Sequence, residues 1–452
     1  MSERKTIYLC LAHMSEEGLE QKYVKEAFDT NWVVPMGPNV NAFEKDLEEF
    51  VNDVRCQKED VRCEPLDRKV VCLSAGTGAV HLALLACGVG PGDEVCVQSF
   101  TFCASSHPIT YCGAKPVFIG SEKETWNMDP ELLEVAIKDR MAKTGRKPKA
   151  IVPVALYGMP YQIDKIMEIA NRYGIPVVED AAEGMGSRFN GQVLGTFGKY
   201  GVLSFNGNKM ITTSGGGALI CRNAEEANQI MWLATQARDA YPYYQHTAIG
   251  FNYRMSNVCA GIGRGQMTVV DEHVKHHRHI AKLYKKAFAN VAGIEYHDEL
   301  GEMESNFWLS TILLNDDLRT KNDNDAYAEA VHGAVGGAAG VVHATDSVHT
   351  NCEPNRNVEA MRIALDKAGI EARPLWKPMH VQPVYAKGEC KVESIEMGDG
   401  RCVECRTTPR SVAYVNGVSE SLFKRGLCLP SGPWVSDEDV ARIVDVIKNN
   451  IL

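Results

Sequence analysis

The chain has 452 residues, of which 45% are hydrophobic and 23% charged, and its formal net charge at pH 7 is −10. This length suggests two or three packed domains, and the composition excludes a disordered or collagen-like chain. The negative charge argues against general nucleic-acid binding, because phosphate backbones attract surplus lysine and arginine.

The N-terminal stretch MSERKTIYLCLAHMSEEG contains only a short apolar run. It predicts neither a signal peptide nor a membrane span. The fifteen cysteines are spread along the chain, many of them in apolar runs, which favours free thiols in a reducing compartment over a disulfide framework. We therefore expect a cytoplasmic protein.

Short β-branched runs alternate with helical patterns between about residues 70 and 221. The runs are VVCL, EVCVQS, PVFIG, AIVPVAL, PVVED, GVLSF and ALIC, and a helix is predicted from Gly78 to Cys87. This alternation predicts an α/β fold with a large, mostly parallel sheet covered by helices on both faces. Ligands of such sheets bind beyond the carboxyl ends of the strands, so residues that follow these runs are the first candidates for chemistry.

The first candidate is the segment SAGTGA at residues 74–79, which follows VVCL and opens the predicted helix. Backbone N–H groups at a helix N-terminus, a threonine hydroxyl and glycines that allow close approach form a cradle for a phosphate. The segment is equally consistent with a glycine-rich turn in which Thr77 caps the helix.

Two further candidates follow later strands. Asp180 ends the run PVVED, where a carboxylate could pair with a pyridine nitrogen or cap the next turn. Lys209 follows GVLSF and the turn-forming pair Asn206 and Gly207, where its amine could form an imine with an aldehyde cofactor or remain a surface charge. Taken singly, Asp180 does not decide between its two interpretations, and Lys209 favours the surface charge.

A long helical pattern begins near Ser256 and continues toward Val291, and it predicts a helix that leaves the sheet domain. We expect a large domain over residues 1–270 and a smaller C-terminal α+β domain over residues 271–452. The second domain carries two predicted insertions, at about 317–352 and 387–410, which lack clear periodicity.

Two groups of possible metal ligands are present in the sequence. One is a histidine cluster on the long helical pattern, interleaved with Lys275 and Arg278, which favours a solvated helix face. The other is a CxxC pair without a second pair or a suitably spaced pair of histidines. We expect no metal site from these residues: His273, His276, His277, His279, Cys390, Cys402 and Cys405.

The order of phosphate loop, strand-end carboxylate and lysine resembles the aspartate-aminotransferase fold. Over nearly its whole length the chain resembles the DegT/DnrJ type of sugar aminotransferases. The matching segments are SAGTGAVHLALLACGVGPGDEV, SFTFCASSHPITYCGAKPVF, EDAAEGMGS, SFNGNKMITTSGGGALI, GFNYRMSNVCAGIGRGQM, RPLWKPMH and CLPSG. The resemblance implies a pyridoxal-phosphate-dependent transferase of fold type I.

The resemblance also implies roles for individual residues. Lys209 would bind pyridoxal phosphate covalently and move protons, and Asp180 would pair with the pyridine nitrogen. The remaining cofactor contacts would be Thr77, Gly78 and Ser204 at the phosphate, Phe102 stacked on the ring, Glu183 near the phenolic oxygen, and Asn252 reaching across a homodimer to the neighbouring subunit's phosphate. Substrate contacts would come from His13, Trp376 and His380.

Within the family, the chain looks most like the transaminases that aminate UDP-linked 4-keto-6-deoxy-N-acetylglucosamine in the bacillosamine pathway, with L-glutamate as donor. It departs from them at Phe307, where those relatives carry an arginine between Asn306 and Trp308. The alternatives are a GDP- or dTDP-linked keto sugar as substrate, or a cofactor-sensing regulatory protein without turnover. A sugar dehydratase on the same scaffold is disfavoured, because those enzymes replace the anchoring lysine with histidine.

Overall fold

A computed structural model describes residues 6–55, 66–321 and 352–452, so most of the predicted insertion at about 317–352 lies outside the described residues. The helices are α1 Leu19–Asp29, α2 Pro38–Val51, α3 Gly76–Ala86, α4 His107–Tyr111, α5 Pro130–Thr144, α6 Ile163–Tyr173, α7 Ala224–Ala234, α8 Asn257–Met267, α9 Val270–Phe288, α10 Arg356–Lys367, α11 Pro383–Ala386, α12 Val418–Arg425 and α13 Asp437–Asn450. The strands are β1 Lys69–Leu73, β2 Glu94–Gln98, β3 Lys115–Ile119, β4 Ala150–Val152, β5 Val178–Asp180, β6 Arg188–Phe189, β7 Gln192–Val193, β8 Tyr200–Ser204, β9 Gly217–Cys221, β10 Ile294–Tyr296, β11 Met303–Glu304, β12 Ser310–Leu314, β13 Arg373–Pro374, β14 Lys391–Glu396, β15 Cys402–Thr407, β16 Val412–Val415 and β17 Gly426–Leu429.

Ten of these strands form one large sheet in the order β1–β9–β8–β5–β4–β2–β3–β16–β15–β14. Its two hydrogen-bonded parts meet where Val154 bridges Asp180 in parallel. All seven predicted strand runs lie in this sheet. Strand β9 runs antiparallel to both of its neighbours, whereas the strands from β8 to β16 run parallel to one another. The predicted mostly parallel α/β fold is confirmed.

Side chains from successive positions of one strand enter two different cores. Val70 and Cys72 belong to one buried apolar cluster, and Val71 and Leu73 belong to another. Successive side chains of a strand point to opposite faces of the sheet, so a strand that is apolar throughout must be covered on both sides. The two clusters therefore confirm the prediction that helices cover both faces.

The segment around residues 387–410 differs from the prediction that it is an insertion in the small domain. Strands β14 and β15 form an antiparallel hairpin, β15 pairs with β16, and β16 pairs in parallel with β3 of the large sheet. The backbone N–H and C=O groups at the β3 edge are thus satisfied by a part of the chain far away in sequence. This segment extends the large sheet.

A smaller, fully antiparallel sheet has the order β10–β12–β17–β13. It packs with α9, α10 and α13 around a separate apolar core. The predicted long helix that leads toward it is broken into α8 and α9 at Thr268 and Val269, so its predicted continuity was wrong. There, two backbone N–H groups bond to carbonyls three residues earlier instead of four, and the Thr268 hydroxyl donates to the carbonyl of Gly265.

The histidine cluster on α9 does not form a solvated face as predicted. His273 and His277 are buried, and they bond through Nδ1 to the carbonyls of Met210 and Phe307. Burial lowers the pKa of His277 to about 3, so its ring is neutral. Within residues 6–55, 66–321 and 352–452, no three His, Cys, Asp or Glu side chains are arranged to hold a metal ion, and no helix there has the length and apolarity to cross a membrane.

Candidate active site

The segments singled out in the sequence meet in one cavity of about 320 Å³ at the carboxyl ends of β1, β5 and β8. These strands run in the same direction, so the residues that follow them collect at one edge of the sheet. Seven of the predicted site residues line the cavity: Thr77, Phe102, Asp180, Glu183, Ser204, Lys209 and Trp376.

One end of the cavity is formed by the start of α3. The helix begins at Gly76, and Ala75 occupies the cap position, so Thr77 lies in the first turn and is not the cap. The turn packs closely on neighbouring strands, because a Cβ atom on Gly217 would overlap the backbone nitrogen of Gly76. Ser204 faces this turn from the end of β8. Free N–H groups and two hydroxyls make this end suitable for a phosphate.

Two predicted phosphate contacts do not line the cavity. Gly78 belongs to the same helical turn, but it packs beneath it, where an added Cβ atom would lie 3.3 Å from the Tyr253 ring. Asn252 is exposed and bridges Thr235 on the outside of the sheet domain. The position of Asn252 leaves it accessible to a second subunit.

Asp180 provides a buried carboxylate at the end of β5. Its Oδ2 accepts a hydrogen bond of 2.6 Å from Ser105 Oγ, and its Oδ1 accepts one of 3.1 Å from the N–H of Ala182. Burial raises the pKa of Asp180, and the bonds from Ser105 and Ala182 and the charge of Lys209 oppose that rise. A buried carboxylate with two such donors attracts a cation when it is ionised, and a protonated pyridine nitrogen is one.

Lys209 follows β8 after a turn in which its N–H donates to the carbonyl of Asn206. Its side chain is 13% exposed, and its Nζ lies 3.2 Å from Oε1 of Glu183, which is 4% exposed. The same Nζ lies 4.2 Å from the centre of the Trp308 ring. Burial raises the pKa of Glu183, and the charge of Lys209 opposes this rise. Lys209 is therefore a cavity residue, which rules out the surface-charge interpretation.

Aromatic side chains form the open side of the cavity. The ring of Phe102 is half exposed, and its centre lies 5.6 Å from that of Trp376. The Tyr157 ring stacks on that of Trp376 at 6.2 Å, and its hydroxyl accepts a hydrogen bond of 2.8 Å from the Trp376 backbone N–H. The N–H of Tyr157 donates to Oε2 of Glu183 at 2.7 Å. One tyrosine thus connects the buried carboxylate to the rim.

The other two predicted substrate contacts lie elsewhere. His380 is buried, with Nδ1 2.6 Å from Ser99 Oγ and Nε2 3.0 Å from Glu420 Oε1, and it lines a different cavity. The His13 ring lies tilted against that of Trp434, with the ring centres 4.1 Å apart, and His13 is absent from the lining of the active-site cavity. Their substrate roles stay predictions.

The residue types in the cavity fit pyridoxal phosphate. A primary amine can bond to the aldehyde of the cofactor, and a buried carboxylate can pair with its ring nitrogen. The N-terminus of a helix can bind its phosphate. The model of the DegT/DnrJ/EryC1/StrS aminotransferase family matches residues 14–351. The chain belongs to this family. It is therefore an aminotransferase, and its cofactor is pyridoxal phosphate.

Similar proteins cover almost the whole chain. EpsN of Bacillus subtilis, which carries a provisional assignment as a pyridoxal phosphate-dependent aminotransferase, is 38% identical over 98% of this chain and 95% of its own. GDP-perosamine synthase of Escherichia coli O157:H7 is 31% identical over 98% of each chain. The crystal structure of a DegT/DnrJ/EryC1/StrS aminotransferase from Brucella abortus has a TM-score of 0.74 at 24% identity, covering 96% of this chain and 95% of that one. This last likeness shows the fold.

In this family member, several residues around the cofactor cavity were missed in the sequence. Ser105, Tyr157 and Trp308 each contact a predicted residue, as described above. Tyr157 has a φ of +56°, a conformation that costs a residue with a Cβ atom about 1–2 kcal/mol. The sequence offered one signal for Trp308, since it lies next to the departure at Phe307.

Proposed function

We propose that the protein transfers the amino group of L-glutamate to the C4 ketone of a UDP-linked 4-keto-6-deoxy-N-acetylhexosamine. The product is a UDP-4-amino sugar for glycan or lipopolysaccharide synthesis. The observation that supports this most strongly is the placement of the Lys209 amine in one cavity with the buried Asp180 carboxylate and the first turn of α3.

Thr77 and Ser204 would hold the cofactor phosphate, Phe102 would cover the ring, and Lys209 would bind it through Nζ. When bound, pyridoxal phosphate supplies an electron sink that makes the α-carbon of an amino acid acidic. Asp180 would hold negative charge beside the ring nitrogen and so strengthen that sink. Lys209 Nζ takes the α-proton of glutamate and holds it for transfer to the cofactor. When the sugar is aminated, Nζ moves a proton from the cofactor to the sugar carbon that carried the ketone.

The rim of the cavity is suited to a polar, ring-shaped substrate. Within the described part of the chain, Nε1 of Trp376 is buried and has no hydrogen-bond partner. Buried donors are almost always paired, so we infer that this N–H gains an acceptor oxygen when a ligand binds and the Trp376 side chain shifts. The departure at Phe307 does not reach the cavity, because Phe307 is absent from the cavity lining and packs with Met159 and Ala281. It therefore carries no argument against the proposed sugar.

The comparison with GDP-perosamine synthase favours a second candidate substrate, a GDP-linked 4-keto sugar. The purified protein would be incubated with pyridoxal phosphate, L-glutamate and UDP-, GDP- or dTDP-linked 4-keto-6-deoxy sugars, and the products weighed by mass spectrometry. We expect amination of the UDP-N-acetyl sugar at the highest kcat/KM. A preference for the GDP sugar would replace the proposed nucleotide, and no amination of any sugar would favour the regulatory alternative.

Lys209→Ala tests the central role. We expect the variant to lose both transamination and the absorbance band of the lysine-bound cofactor. Lys209→Arg serves as the matched control, because it retains the positive charge beside Glu183 and lacks the reactive primary amine. Turnover by Lys209→Ala at a rate near that of the wild type would refute the proposal.

We further propose a homodimer with shared active sites. Asn252 is exposed, as are the apolar side chains of Tyr243, Tyr244 and Ile249 in the loop before it. Exposed apolar patches of this kind mark interaction surfaces. Mixing inactive Asn252→Ala and Lys209→Ala proteins should restore about a quarter of wild-type activity, because half of the dimers are hybrids and each hybrid has one complete site. Absence of any recovery after subunit exchange would contradict shared sites.

A further inference from the structure

Trp308 lies at an unusual place for a core residue. It is 1% exposed and precedes β12 of the small sheet, yet it lines the cavity at the edge of the large sheet. The Lys209 amine lies over its indole ring, 4.2 Å from the ring centre, and 3.2 Å from the carboxylate of Glu183. The negative face of an aromatic ring attracts a cation, and the attraction is stronger where water is excluded.

The ring is anchored to the chain beside the lysine. Its Nε1 donates a hydrogen bond of 2.7 Å to the carbonyl of Asn208, the residue before Lys209. The backbone N–H of Trp308 donates to Oδ1 of Asn306 at 2.8 Å. One side chain therefore contacts both the main chain that carries the lysine and the amine at its tip.

The same turn also holds the other partner of the amine. Nδ2 of Asn306 donates to the carbonyls of Glu183 and Met185 at 2.8 and 2.9 Å. Phe307, between Asn306 and Trp308, has a φ of +48°, which a residue with a Cβ atom seldom adopts. Such strain persists only where surrounding contacts enforce it. The turn of residues 306–308 thus sets the position of Glu183 and of the Lys209 amine together.

We propose that Trp308 is a positioning residue that keeps the amine of Lys209 beside Glu183 whenever the lysine is not bonded to the cofactor. This rests on the proposed role of Lys209. The lysine side chain is a flexible four-carbon stem, and a base that transfers a proton must stay within hydrogen-bond reach of it. A second carboxylate in this place could accept a proton from the amine. The indole face confines the amine and cannot accept its proton.

The test compares Trp308→Leu with Trp308→Phe. The first variant removes the aromatic face and the second retains it while losing the bond to Asn208. We expect Trp308→Leu to slow the glutamate half-reaction about tenfold, and Trp308→Phe by about threefold or less. The deuterium isotope effect with α-deuterated glutamate should rise in Trp308→Leu, because proton transfer becomes the slow step.

A second readout needs no turnover. In the cofactor-free protein, reductive methylation of Lys209, followed by mass spectrometry, should be several-fold faster in Trp308→Leu than in the wild type. The matched control is Trp126→Leu, which removes an equally buried tryptophan stacked 3.7 Å from His297 and absent from the cavity lining. It should leave both the isotope effect and the labelling rate unchanged.

Wild-type labelling and isotope effects in Trp308→Leu would overturn the proposal, and so would equal changes in Trp126→Leu. Should Trp308→Leu be insoluble, Trp308→Met, which also lacks an aromatic face, takes its place: faster labelling supports the proposal, and unchanged labelling overturns it. If Trp308 fails these tests while Lys209→Ala is inactive, only the role of Trp308 falls. If Lys209→Ala transaminates, the proposed function falls first.

Discussion

Ser105→Ala tests how strongly one hydroxyl favours the ionised form of the carboxylate at the end of β5. The bond from Ser105 Oγ to Asp180 Oδ2 is 2.6 Å long, and both residues are almost fully buried, at 1% and 4% exposure. A hydrogen bond to a charged group contributes about 1.5–3 kcal/mol, and water cannot readily replace the lost hydroxyl at such a buried site. The N–H of Ala182 remains, so the carboxylate keeps one donor.

The direction follows from which form the hydroxyl stabilises. Ser105 lowers the pKa of Asp180 against the effect of burial, so its removal raises that pKa. If turnover requires ionised Asp180, the activity of Ser105→Ala falls, as the pH is lowered, at a higher pH than that of the wild type. At 1.36 kcal/mol for each pH unit, the acid limb of the kcat profile should move upward by about one to two units.

The assay is the rate of the glutamate half-reaction between pH 5 and 9. Ser105→Thr keeps a hydroxyl and is the matched control, with a limb near that of the wild type. The base limb should coincide in all three proteins. If the acid limbs of Ser105→Ala and the wild type superimpose, the reasoning that assigns this bond to Asp180 ionisation is refuted.

Two other substitutions give separate checks. Glu183→Gln removes the buried carboxylate that lies 3.2 Å from the Lys209 amine, and it should lower the free energy of unfolding of the cofactor-free protein by about 3 kcal/mol in urea titrations. An unchanged midpoint would contradict a strong pair. Gly158→Ala should be poorly folded, because Gly158 has a φ of +88° and an added Cβ atom would overlap Oδ1 of Asn306. Gly92→Ala has a similar φ of +82° with open space around it and should cost only about 1 kcal/mol, so equal losses from the two glycines would argue against the crowding.

The sequence predicted the large sheet because its strands are apolar on both faces. Lys209 and Asp180 could be found for the same reason, since each directly follows a recognisable strand. Trp308 could not be placed beside Lys209, because it comes from another sheet and reaches the cavity through the left-handed turn at Phe307. Contacts of this kind depend on how two separate units pack, which local patterns do not encode.

Two further errors have distinct physical causes. Strand β14 is exposed along almost its whole length, so it has no apolar alternation to reveal it, and the pairing of β16 with β3 joins distant parts of the chain. On α9 the charges of Lys275 and Arg278 suggested a solvated face, but the helix is turned so that His273 and His277 face inward. Neutral histidine can be buried when it bonds to a carbonyl, and its residue type alone does not reveal this.

The return of the chain from β13 to β14 has a consequence for motion. The described part of the chain begins against the small sheet, where Ile7 bridges Ile370, and enters the large sheet at β1. It passes to the small sheet after β9, goes back before β14 and crosses again after β16, so four covalent links between described elements span the gap. Any hinge rotation of one sheet against the other would have to bend all four links at once. We therefore expect solution scattering curves recorded with and without ligands to superimpose, with side chains and loops, rather than a swinging lid, admitting the sugar.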